Sequence, residues 1–185
     1  MGGDPAIAVD PRDSKIVFVA WADQTNDQYT LHVRRSSDSG ATWSNDLRTI
    51  PNAKNPGLAL NSNGKVGFLY QQVALTDGGP RWSTHLERTN DGFATAPQDL
   101  VLANVPADRP QPTFLPYIGD YIHLMVVGKD FYGIFSANNT PDEANFPNGV
   151  KYQRNADLTT KRLLSVDGAT QVDVSIDPFF FKVTE

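Results

Sequence analysis

Cysteine is absent from the 185 residues. Disulfide frameworks, thiolate metal sites and cysteine nucleophiles are therefore excluded. The absence suits either redox compartment and does not choose between them. Long apolar runs are missing as well. Nothing approaches the roughly 18 apolar residues of a membrane-spanning helix, so no membrane insertion is expected. No stretch of useful length carries helical periodicity. A phosphate-cradling glycine loop, a nucleophile elbow and a calcium loop are also lacking, and no cofactor is expected. There are only three histidines, His32, His85 and His123. They sit on separate runs and form no metal-ligand spacing. Basic residues are outnumbered, 16 Lys and Arg against 21 Asp and Glu, for a net charge of −5. That balance argues against nucleic acid and an anionic membrane and is neutral toward a sugar. Met1-Gly2-Gly3-Asp4 lacks the shape of a signal peptide, so any export signal is expected to lie outside these residues.

What the chain has is a succession of short β-rich runs separated by turn clusters. Ala6-Ile7-Ala8-Val9 leads into the turn Asp10-Pro11-Arg12-Asp13. Ile16 to Trp21 is apolar on both faces and reads as an inner strand covered on both sides. Residues 23–28 read as a loop, 30–35 as a third strand and 47–50 as a fourth, outer one. Between the last two stands Ser36-Ser37-Asp38-Ser39-Gly40-Ala41-Thr42-Trp43. A short Asp side chain accepts hydrogen bonds from backbone amides of its own turn, and Gly40 supplies backbone freedom. Thr42 and Trp43 then start a new strand, with the indole placed to cover the hairpin.

The pattern returns. Residues 57–60 with Asn61-Ser62-Asn63-Gly64 answer the first strand and turn, and 66–71 answer the second strand. Residues 30–38 align with 83–91 at a constant offset, since 85 − 32 and 91 − 38 both equal 53. His, Arg and Asp coincide in this match. The second turn, Thr89-Asn90-Asp91-Gly92-Phe93, reads as one residue short and lacks the Trp. A third copy is looser. Residues 120–127 form its inner strand and 131–136 its second. Lys151-Tyr152-Gln153-Arg154-Asn155-Ala156-Asp157 repeats the Arg-x-x-Asp spacing of Arg35/Asp38 and Arg88/Asp91. Pro112-Thr113-Phe114-Leu115 offers another framing of that copy's inner strand. Residues 172–181 echo the first strand, its turn and the strand after it.

The S-x-D-x-G-x-T-W stretch, with its repeat, resembles the Asp box (BNR repeat) of sialidase-like β-propellers. The fold expected is all-β: a sialidase-like β-propeller, or part of one, with about three and a half four-stranded blades. The blades are expected over residues 5–51, 52–104 and 105–168, with a partial blade over 169–185. Such a set cannot close a ring of ~4–8 blades by itself. The chain is therefore expected to be a fragment of a longer propeller or to complete the ring as a homo-oligomer. Ser36, Asp38, Gly40, Thr42, Trp43, Asp91 and Asp157 take structural roles in the boxes.

Function is expected at the opposite end, on the loops 23–28, 52–55, 72–82, 105–121 and 137–148. The resemblance implies a glycan or glycoprotein ligand and a secreted or cell-surface location. Sialidases hold a carboxylate with arginines and attack through a tyrosine activated by a base. Tyr121-Ile122-His123-Leu124 is similar to the stretch that carries that nucleophile, which makes Tyr121 and the adjacent Asp120 the catalytic candidates. Arg109, Arg81 and Asp23 are the substrate-binding candidates. The alternatives are a non-catalytic glycan- or protein-binding propeller and a self-assembling scaffold module, so activity itself is left open. Arg34 and Glu87, equivalent in the repeat, are candidates for an ion pair between units. Arg35, Arg88 and Arg154 read as structural partners of the turns. Asn138-Asn139-Thr140 fits a glycosylation sequon, but Pro141 disfavours its use.

Overall fold

The structure is a computed structural model, and it describes residues 4–26, 28–111, 118–148, 150–152 and 154–185. The alternating apolar runs form antiparallel strands, and the described residues are all-β apart from a single 3-10 turn, Glu143–Asn145. The first sheet holds β1 (Ala6–Asp10), β2 (Asp13–Thr25), β3 (Gln28–Ser36) and β4 (Arg48–Pro51) in chain order. The second holds β5 (Ala53–Leu60), β6 (Val66–Thr76), β7 (Gly79–Thr89) and β8 (Gln98–Pro106), also in order. A third four-stranded sheet uses β9 (His123–Val127), β10 (Asp130–Asn138), β11 (Lys151–Tyr152) and β14 (Ile176–Val183). The ribbon of β12 (Ala156–Asp157) and β13 (Arg162–Leu163) stands apart. No closed barrel or ring is formed among the described residues.

Strands run further than the loops read from sequence. β6 and β7 pair out to Thr76 and Gly79, leaving Asp77-Gly78 as a two-residue hairpin turn, for which Asp-Gly is a strong signal. β2 likewise continues to Thr25. Pairing satisfies backbone groups that a loop would have to leave to water. β5 carries a register shift between Lys54 and Gly57, with Asn55 at φ 57°. Pro56 cannot donate to a ladder and is accommodated in that irregularity.

The second sheet lies between the other two. Side chains alternate across its strands, so Phe68 and Tyr70 join Phe18, Leu31, Val33 and Ile50 in one core cluster. Leu69 and Leu86 join Phe131, Phe135, Phe179 and Phe181 in the other. The strand covered on both sides is thus β6, whose first six residues are buried. β2 buries Phe18 and Ala20 but leaves Val19 and Trp21 half-buried, because the first sheet ends the stack. Its outward face exposes Ile7 and Val9, and that of the third sheet exposes Met125, Val127 and Ile134.

The third sheet departs from the chain-order reading. β14 occupies the third place, between β10 and β11, instead of starting a further unit. Phe179 and Phe181 explain it: their rings stand 5.8 and 6.2 Å from that of Phe135, on the face turned to the second sheet. Lys151–Tyr152 is only two residues long and remains at the edge. The stretch 112–115 lies outside the described residues.

Candidate functional site

One rim of the stack is built from turns that fold around aspartates. Ser36 Oγ donates to Asp38 Oδ1 at 2.7 Å and accepts from the amides of Asp38 and Gly40 at 3.2 and 2.8 Å. Asp38 in turn accepts from Thr42 N at 2.8 Å and Thr42 Oγ1 at 2.5 Å. These bonds, led by the Thr42 hydroxyl, hold the Asp38 carboxyl down at about 2. Gly40 sits at φ 90°, in the left-handed region, with Trp43 Cζ2 only 3.6 Å from where a Cβ would stand.

The second turn uses the same pattern at the same offset. Thr89 Oγ1 donates to Asp91 at 2.6 Å, and Thr95 supplies both its amide, at 3.1 Å, and its hydroxyl, at 2.6 Å. Thr95 is Thr42 plus 53, so the turn is full length and not one residue short. The glycine has moved one place: Gly92 and Phe93, at φ 66° and 71°, take the conformations of Ser39 and Gly40. At the opposite end of the third sheet, where Arg154 pairs with Asp177 at the start of β14, Asp157 accepts from the amides of Thr159 and Thr160 at 3.0 Å, beside the small ribbon. A further turn of this type was missed. In Ser165-Val166-Asp167-Gly168-Ala169-Thr170, Ser165 Oγ and Thr170 Oγ1 donate to Asp167 at 2.6 and 2.7 Å. Its letters, S-x-D-G-x-T, could have revealed it.

At the other end, the inner strands β1, β5 and β9 leave a groove. A hollow of about 340 Å³ is lined by Asp4, Ala6, Ile7, Leu58, Asp120, Tyr121 and His123, among others. An adjoining one of about 480 Å³ shares Asp4 and residues 121–123 and reaches Ile134 and Pro178. Tyr121 is 79% exposed over it. Asp120 and Tyr121 therefore share one groove, and Asp4 and His123 join them there. Neither of these two was a candidate from sequence. Lys54 is buried, with its ammonium 5.2 Å from the centre of the Trp82 ring. Burial lowers the Lys54 pKa, opposed by the field of Asp120.

The structure does not bring the other candidates to that groove. Arg81 is held by Asn104 Oδ1 and Asn145 Oδ1, each at 2.8 Å, and by the Asn104 carbonyl. Arg109 is 77% exposed, with Asp108 at 3.9 Å. Asp23 stays in the first sheet, where its carboxylate lies 3.2 Å from His32 Nε2. Arg34 pairs with Asp46 of its own sheet at 2.6 Å. The ion pair between sheets is made instead by Arg48, whose Nε donates to Glu87 Oε2 at 2.9 Å.

His32 and His85 belong to a repeated motif. Each stacks on an aromatic ring, Trp21 at 5.1 Å and Tyr70 at 5.0 Å. Each also turns Nδ1 toward a carboxylate, Asp46 at 2.8 Å and Asp99 at 2.9 Å. Ser83 Oγ lies 2.8 Å from His85 Nε2, which completes a Ser-His-Asp sequence of contacts. The equivalent of Ser83 in the first sheet is Thr30, and Ser83 Oγ also bonds the Gln72 carbonyl at 3.2 Å. The groove residues do not include this group, and its recurrence assigns it to sheet packing.

In comparisons with known proteins, the chain matches no family model, no curated protein and no solved structure.

Proposed function

We propose that this chain is a segment of a sialidase-like Asp-box β-propeller, a glycan-directed protein of the cell surface or exterior. The observation that carries the reading is the groove where Asp120 and Tyr121 meet at the end of sheets whose opposite rim repeats one aspartate turn at an offset of 53. The three four-stranded sheets are its blades, and the exposed apolar outer faces at Ile7, Val9, Met125 and Val127 support ring closure by further blades or further copies. Binding of a terminal sugar is favoured over its hydrolysis. Carboxylates stand beside the Tyr121 phenol, but the carboxylate clamp expected of Arg81 is already occupied by Asn104 and Asn145. A fluorogenic α-sialoside, assayed from pH 4 to 8, separates the two. Turnover that vanishes in Tyr121→Phe makes the chain a hydrolase. Without turnover, saturation-transfer NMR with sialyllactose should still show transfer that is lost in Tyr121→Ala. Absence of both signals refutes the reading.

A further inference from the structure

The arginines beside the aspartate turns have different fates. Arg88 is paired with Glu185 and Arg154 with Asp177 at 2.8 Å. Arg35, the equivalent of Arg88, makes no side-chain hydrogen bond or ion pair among the described residues; the buried Nε of both arginines is without a partner. Its guanidinium carbon stands 5.9 Å from the centre of the Phe18 ring.

Arg35 lines a hollow of about 430 Å³ between the first and second aspartate turns. Trp43 forms another wall and is 40% exposed. Ser37 and Leu47 line it as well, and Asp91 of the second turn stands in the facing wall. The second turn has Ala96 at the place of Trp43, so the free guanidinium and the open indole occur together only once in the repeat. The carboxylates around Arg35 are committed. Asp91 accepts from Thr89, Ala94 and Thr95, Asp38 from Ser36 and Thr42, and Asp10 from Arg12. The cavity thus offers a planar cation that no carboxylate pairs directly, an aromatic face and a hydroxyl. Its volume is that of a small-ligand site.

We propose that this hollow binds a carboxylate-bearing saccharide, a uronic-acid residue. Arg35 takes the carboxylate as a two-point pair, and the pyranose lies on Trp43. The ligand supplies what Glu185 supplies to Arg88. A neutral sugar would leave the guanidinium without an anionic partner, which costs affinity. The site is on the rim opposite the groove and does not depend on the function proposed for it.

The test is a tryptophan-emission titration of the full chain with digalacturonic acid and with its methyl ester, which keeps the rings and removes the charge. The acid should give a saturable change and the ester none. Trp43→Phe should abolish the change while Trp21→Phe retains it. Arg35→Gln should weaken binding roughly tenfold or more, as loss of a charge-assisted pair does. Ser37→Glu, on the exposed wall, should do the same by offering Arg35 a competing carboxylate, so a folding defect in Arg35→Gln does not blunt the test. No saturable change, equal response to acid and ester, or unchanged affinity in Ser37→Glu overturns the proposal. Tighter binding of an aspartate- and glutamate-rich peptide than of the acid overturns it in favour of a protein partner.

Discussion

Removing Arg48 should expose how the first two sheets are held together. Glu87 is buried at 3% exposure, in the face of the second sheet that packs on the first. Its carboxylate is met by two nitrogens of Arg48 and by Tyr70 Oη at 3.1 Å. Arg48→Ala leaves that charge in place with one neutral donor. Breaking one side of a buried pair costs about 3–5 kcal/mol. In a domain of this size each kcal/mol moves the melting temperature by roughly 2–4 °C, so the midpoint should fall by about 6–20 °C. Replacing both partners with apolar residues, Arg48→Met with Glu87→Leu, removes the stranded charge along with the pair and should recover much of the loss. Thermal and urea melts of the two single variants and the double variant measure the coupling. An Arg48→Ala cost below about 1 kcal/mol, the range of an exposed pair, would refute the claim that this contact is desolvated and locks the sheets.

Two more outcomes follow from packing and charge. A Cβ at Gly133 would come within 2.4 Å of the Phe181 ring and 2.9 Å of the His123 carbonyl, so Gly133→Ala should destabilise by roughly 1–3 kcal/mol in a melt, as overpacking does. Stability should fall in acid. The carboxyls of Asp38, Asp91 and Asp157 are lowered in the folded state by hydroxyl and amide donors. A lowered folded value means that the unfolded chain binds protons first, so these aspartates stabilise the fold above their unfolded value of 3.8. That contribution is lost as pH falls toward the folded value of about 2 for Asp38. Melting temperature followed from pH 6 to pH 2 should drop mostly below pH 4, and Asp38→Asn should flatten the drop.

The repeat was legible because its hydrogen-bonding residues are few and fixed. Asp38 and Asp91, and His32 and His85, recur at one spacing and occupy matching places in the first two sheets. The second turn was misjudged because the reading followed the glycine. Phe93 adopts a left-handed φ of 71°, and it is Thr95, not the glycine, that closes the turn on Asp91. The third sheet was not legible because β10 takes its partner from some forty residues on, and only the Phe135, Phe179 and Phe181 stacking selects that pairing. Of the site, Asp120 and Tyr121 could be found because neighbours in sequence stay neighbours in space. Arg81 could not be ruled out of the groove, since its asparagine partners come from β8 and from the 3-10 turn. Asp4 enters the groove only through the packing of β1 near β9.

The most direct test of the functional reading is a backbone amide map of the chain, titrated with a panel of terminal sugars. Shifts concentrated at residues 6–7, 57–58 and 120–124, and reduced in Asp120→Asn, are the result predicted for a glycan-directed groove. Shifts elsewhere, or none with any sugar of the panel, would contradict it.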